Sequence, residues 1–436
     1  MRPFRNTLAA ALSVALAAIT QVPVTTAAET SLDEIATEYV ALVLGIGVHD
    51  PHYVDAYYGP ADAQDAAERA NLTLQAIDAR AQALLATLAR LPPTGDDLDI
   101  LRHRFLERQL SSMRVRIALL SGESMTFDEE SRALYDAVAP RHSEAHFAQV
   151  LERLDARLSG DGSLSERYEA FSRRFEIPKN KLAAVFRAAI DEARKRTRGR
   201  IELPEGESFE IEYVTGKAWS AYNWYKGGYH SLIQVNTDFP VAISRAIDLA
   251  CHEGYPGHHV YNVLIEKHLV QDRGFVEMSV YALFSPQSLI AEGTANLGIE
   301  VAFPGNERLQ FEREVLFPLA GLDPAQADDY YAVQALMGEL SYAGNEAARG
   351  YLDGEMTAEE TVAWLSTYTL TPPDRGKQRV RFYDTYRSYV VNYNLGQDKV
   401  RTYIERRGGT ADAPDQRWLE FRKLLASPRL PGGLAD

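Results

Sequence analysis

Along most of this chain, apolar residues recur at three- and four-residue intervals between charged positions, the spacing of one helical face. The pattern predicts helices over Ala61–Leu91, Asp97–Ser121, Glu144–Leu158 and Pro178–Arg198, the last opening on a proline suited to a first helical turn. The Leu and Ala stripes of these segments are read as core faces. Between Ile201 and Pro240 the period changes. Glu205–Tyr213 alternates polar with β-forming residues, Trp219–Tyr229 is aromatic and punctuated by glycine, and Ser231–Asn236 has the make-up of a short strand. Helical spacing resumes near Pro240 or Val241 and returns in Pro286–Val301, Glu307–Leu319, Pro324–Asp353, Ala358–Tyr368 and Gln378–Arg406. The fold class predicted is therefore mainly α with a small β-sheet (α+β). No fixed-period repeat and no low-complexity linker interrupts the chain. The expected organisation is a helical part, 29–200, covering a cleft, followed by a catalytic part, 201–436, holding the sheet and the remaining helices.

The first residues have a different texture. Arg2 and Arg5 precede a weakly apolar stretch from Leu8 to Ile19, and the small-residue run Thr25–Ala28 closes it. That order is the order of a secretory signal peptide, 1–28, with cleavage expected after Ala28. The apolar stretch is shorter than the roughly 20 residues a bilayer span requires. An exported protein, periplasmic or extracellular, with no membrane anchor after cleavage is expected. Charge and cysteine content narrow the picture further. A formal net charge of −15 argues against a nucleic-acid partner, which would need clustered Lys and Arg. Cys251 is the single cysteine, so no disulfide within the chain is possible and stability must come from the core.

Residues 251–259 read Cys-His-Glu-Gly-Tyr-Pro-Gly-His-His. A His-Glu pair followed by a further histidine is the way one helix supplies two zinc ligands and a base. The spacing differs from the usual four residues, since Pro256 occupies that position. On an ideal helix His258 would lie about 120° off the His252 face, and His259 would return to that face about 10 Å further along. Pro256 and Gly257 predict a local bulge that would return His258 to the ligand position, with His259 as its competitor. Glu253, beside the first histidine, is placed to take a proton from a metal-activated water rather than to bind the metal. A third ligand is expected from a second helix. Glu292, set among small residues in Ile290–Asn296, is the first candidate, and Glu300 the next.

The stretch Gln234-Val-Asn-Thr, the run His-Glu-Gly-Tyr-Pro-Gly-His-His and the later Ala-Glu-Gly resemble the bacterial family catalogued as domain of unknown function 885. Tyr393-Asn-Leu-Gly-Gln with Arg401 resembles that family's closing motif, and the likeness spans roughly residues 30 to 425. The resemblance implies a gluzincin-like zinc metallopeptidase architecture. It also implies one Zn2+ on His252, on one of His258 and His259, and on Glu292, with Glu253 as general base. Thr294 departs from the aromatic residue that the family commonly carries after Glu-Gly, which weakens inference about substrate. Gluzincin-like sites pair an edge strand with an extended substrate, and Ser231–Asn236 is the candidate here. They also place a Tyr, His or Arg on the oxyanion, which nominates Tyr393, with Tyr389 one turn away, and His230. Arg381 and Arg401 are candidates for a substrate carboxylate. The expected function is hydrolysis of short peptides. Hydrolysis of another ester or amide, and a non-catalytic binding protein on the same fold, are the alternatives.

Overall fold

The computed structural model of the chain describes residues 31–217 and 219–434. The predicted signal segment and its cleavage point lie outside the described residues. Helices dominate, and two small sheets sit among them. Strand β1 (Val54–Tyr57) pairs antiparallel with β5 (Val280–Ala282). Strands β2 (Ser208–Val214), β3 (Ala221–Gly227) and β4 (His230–Asn236) form the second sheet in the order β2–β4–β3. Strand β4 runs parallel to β2 and antiparallel to β3. Alternation explains its central place: Ser231, Ile233 and Val235 all point inward and are buried. Among the described residues no helix is long and apolar enough to cross a membrane.

The helices follow the apolar pattern, but several are shorter than the pattern. The segment predicted over Ala61–Leu91 divides into Ala61–Ala70 and Leu74–Leu88, because Asn71 takes a left-handed conformation (φ 41°) that ends the first helix. Pro324–Asp353 divides into Ala327–Glu339 and Ala343–Leu352, and the last long segment breaks at Arg387, also at positive φ. In each case both pieces turn apolar faces to one core, so the three- and four-residue spacing runs on across the break. The β1–β5 pair was not predicted, since four- and three-residue strands are too short for alternation to be read.

One hydrophobic core runs through the chain, from Ile35, Tyr39 and Phe105 near its beginning to Phe421 and Leu425 near its end. The segment before residue 200 is joined to the rest by more than cover. It contributes β1 to a sheet with β5, and Arg102 forms a buried pair with Glu277 at 2.6 Å. The helix Leu182–Arg198 lies against the histidine-containing motif, its Arg194 and Arg198 both bonding Glu207.

Candidate metal centre

The motif helix is broken where the sequence predicted a bulge. Helix Ile243–Leu249 passes into a widened π-type turn, Ala250–Gly254, and a new helix begins at His258. The backbone N–H of Tyr255 donates to the Ala250 carbonyl at 3.0 Å, and that of Gly257 to the Cys251 carbonyl at 2.8 Å. These bonds reach back five and six residues instead of four, so the turn takes up the two additional positions. His258 is thereby brought over His252, with ring centroids 4.7 Å apart and planes nearly perpendicular. Gly257 is required by the tightness of this turn: a Cβ there would lie 1.9 Å from the His252 carbonyl oxygen.

Glu292 comes from the middle of the buried helix Pro286–Ala302. This helix crosses Val391–Arg406 at glycine on both sides. A Cβ on Gly293 would fall 2.4 Å from the Gly396 carbonyl oxygen, and one on Gly396 would fall 2.7 Å from that of Leu289. Backbones this close leave the Glu292 side chain directed at the two histidines. Its Oε2 lies 3.4 Å from His252 Nε2 and 3.7 Å from His258 Nε2, and all three ligand atoms fall within 4.8 Å of one another.

The two separations from Glu292 are close to those of a zinc site. Ligands at about 2.0–2.2 Å on a tetrahedron stand roughly 3.3–3.6 Å apart. Glu292 Oε2 is buried and accepts no hydrogen bond, while Oε1 accepts one from the Tyr389 hydroxyl at 2.8 Å. A buried carboxylate oxygen without a donor, facing two imidazole nitrogens, is the environment a cation would complete. The histidine is also oriented for it. Asn296 Nδ2 donates to the Tyr393 carbonyl, which leaves Asn296 Oδ1 to accept from His252 Nδ1–H at 3.0 Å and turns Nε2 to the cluster. Three such ligands would leave a fourth position for water, as in catalytic rather than structural zinc sites.

Charge is concentrated here. Burial disfavours a proton on His252, but Glu253 and Glu292 outweigh it and push the imidazole up to about 9. Burial would raise the Glu292 carboxyl, yet the adjacent imidazoles of His252 and His258 hold it well below the usual carboxylate range. In the protein without metal, a proton on His252 thus balances part of the negative charge that a dication would otherwise meet.

The cluster opens on a cavity of about 590 Å³. Glu253 is on its wall, with Oε1 4.0 Å from His252 Nε2. Tyr393 is there too, its phenol raised well above the ordinary value by burial and by the charge of Glu292. Asp55 completes the acidic side. It is the extra residue of a bulge, since Val54 pairs with Ala282 and Ala56 with Tyr281. The bulge re-aims its side chain at the cavity, where Tyr222 donates to it. Burial, against the bond from Tyr222 and the pull of His258, pushes Asp55 up to about 6.

Other predicted residues lie elsewhere. His259 is fully buried, bonded to Ser231 Oγ at 2.8 Å and Glu207 Oε2 at 3.0 Å, so both ring nitrogens are engaged away from the cluster. Glu300 is taken up by Gln397, Arg401 and Arg417, and Arg401 is held by Glu300 and Asp398. Arg381 is exposed and not on the cavity wall. His230 also needs correction. It stands opposite Gly227 and bonds Ser208 at 3.2 Å, whereas the cavity is lined by Trp219–Asn223. Gly227 is four steps along the strand from Asn223, roughly 13 Å, so His230 is at the wrong end of the sheet. The edge strand is likewise reassigned: β4 is flanked on both sides, and β3 borders the cavity. Asn223 of β3 supports the motif by donating to the Glu253 carbonyl at 2.7 Å.

Asn296 and Asp55 were not found by sequence reasoning. Asn296, one helical turn beyond Glu292, had a legible signal in its spacing. Asp55 had none, because a bulge in a four-residue strand leaves no pattern.

No family model matches the chain and no curated protein matches it, so the family resemblance rests on the motif residues themselves. Among solved structures, the chain is similar to one described as "the putative lipoprotein from Colwellia psychrerythraea", at 16% identity, with 93% of this chain and 75% of that one covered and a TM-score of 0.48. Likeness at that level says nothing about activity.

Proposed function

We propose that the chain is an exported zinc-dependent hydrolase of gluzincin type that cleaves short peptides. One observation carries the reading: the ligand atoms of His252, His258 and Glu292 converge within 4.8 Å of one another on a cavity wall that also presents Glu253. Zinc held by those three residues would supply Lewis acidity toward a peptide carbonyl and toward water. The remaining work belongs to side chains of this chain. Glu253 takes the proton of the attacking water and returns it to the leaving nitrogen. Tyr393 donates to the oxygen that becomes negative, a role open to its hydroxyl because it lines the cavity and has no hydrogen-bond partner among the described residues. Asn296 and Tyr389 keep His252 and Glu292 in orientation. The edge of β3 at Trp219–Asn223 offers backbone groups to an extended peptide, the role expected earlier of β4. Export rests on the N-terminal 1–28 segment.

Metal analysis of protein purified without chelator is the first test, with about one zinc per chain expected. Glu253→Gln should then retain that zinc while turnover of a mixed peptide pool falls by about 10²–10⁴-fold, the usual contribution of a general base. Unchanged turnover in this variant, or a wild type that holds no zinc, would refute the reading.

A further inference from the structure

The helix Pro373–Tyr386 turns one face to the cavity, presenting Arg375, Gln378, Arg379, Phe382 and Tyr386 at three- and four-residue spacing. The two arginines of that face meet a third, Arg245, from the motif helix. Arg245 is paired with Asp248, but among the described residues neither Arg375 nor Arg379 has a carboxylate within ion-pair distance. Both have aromatic neighbours: Arg375 lies over Phe239 at 3.9 Å, and Arg379 lies 5.6 Å from the centre of Phe382. The adjacent Asp374 pairs with Lys377 instead. Burial, together with the charges of Arg245 and Arg379, lowers the affinity of Arg375 for its proton. Arg245 and Arg379 reach solvent, whereas Arg375 is half-buried without a counter-ion among the described residues, and an anion bound between Arg375 and Arg379 would relieve the cost of that burial.

From this arrangement we infer that Arg375 and Arg379, flanked by Arg245, receive a carboxylate of the substrate, and that the substrate class is short peptides with a free C-terminus. The reach fits. Tyr386, at the other end of the same helix face, is close enough to Asp55 to feel its charge, and Arg379 is close enough to Tyr393 to act on its hydroxyl. The arginines and the proposed catalytic side chains therefore line one cavity, and the bond cleaved would lie near the carboxylate. Planar, bidentate recognition of carboxylate is what guanidinium does best.

The scissile position rests on the peptidase reading, whereas the anion subsite can be tested without turnover. Zinc-loaded Glu253→Gln protein is titrated calorimetrically with tri-alanine, with tri-alaninamide, and with an amidated tripeptide carrying a central glutamate. Tri-alanine should bind at least tenfold tighter than its amide. Adding Arg375→Ala and Arg379→Ala should reduce that ratio to below twofold, with the circular dichroism unchanged. Tight binding of the amidated glutamate peptide in place of tri-alanine would keep the subsite and assign its carboxylate to a side chain, overturning the C-terminal assignment. The subsite itself is overturned if free acid and amide bind alike, if the ratio survives loss of both arginines, or if none of the three peptides binds. Failure of the peptidase reading would appear separately, as absence of turnover by the wild type.

Discussion

At the scale of single residues, adjacent histidines have opposite fates. His258 is half-buried and faces Glu292, while His259 is enclosed by Ser231, Glu207 and Phe209. Their substitutions should therefore separate metal binding from stability. His258→Ala is expected to abolish stoichiometric zinc binding at little cost to the metal-free fold. His259→Ala should keep zinc in whatever fraction folds but lose about 2–4 kcal/mol, the cost of a core cavity plus stranded partners. Metal analysis and urea unfolding of the two variants decide the matter; zinc loss confined to His259→Ala would reverse the ligand assignment.

At the scale of elements, two devices build the centre. One is the widened turn at Ala250–Gly254, which converts a six-residue separation into a facing pair. The other is the glycine contact between helices Pro286–Ala302 and Val391–Arg406. Here a single methyl group has no room, since the atom it would meet is backbone oxygen rather than a flexible side chain. Gly293→Ala must push the helices apart, and Glu292 and Tyr393 ride on them. We expect destabilisation of about 1–3 kcal/mol, the usual cost of overpacking, with zinc affinity reduced at least tenfold. Thermal unfolding and competition with a zinc chelator measure both. A variant with wild-type zinc affinity would show that the close crossing does not position Glu292.

At the scale of the whole molecule, Glu207 ties the first two hundred residues to the motif. It is buried and accepts from Arg194 and Arg198 of one helix and from Tyr255 and His259 of the motif. Burial would raise its pKa, but these four donors hold it at about 2, below the ordinary 4.5. A depressed carboxylate stabilises fully above its unfolded value and loses that contribution as pH falls through its folded value. The window is therefore pH 4.5 down to 2. After discount for the half-exposed arginines, the contribution is on the order of 2 kcal/mol. In urea unfolding at pH 7, 5, 4 and 3, the stability gap between wild type and Glu207→Gln should narrow below pH 4.5. A gap that stays constant would mean that the charge of Glu207 does not hold the two parts together.

Local sequence specified which segments become helix and that the region after Ile201 becomes sheet, because period is a property of neighbouring residues. It also marked His252, Glu253 and Glu292 as chemistry-bearing, and the proline–glycine pair as the place where the helix breaks. Three matters were decided only by tertiary structure. Strand order made β3 rather than β4 the edge beside the cavity, because pairing joins residues by register and not by sequence distance. Burial chose between His258 and His259, whose adjacent positions carry no information about which neighbour each will meet. Convergence brought Asp55, Arg375 and Arg379 to the cavity of His252 and Glu292 from segments up to about three hundred residues apart, and nothing in the spacing of any one segment encodes a contact made by another.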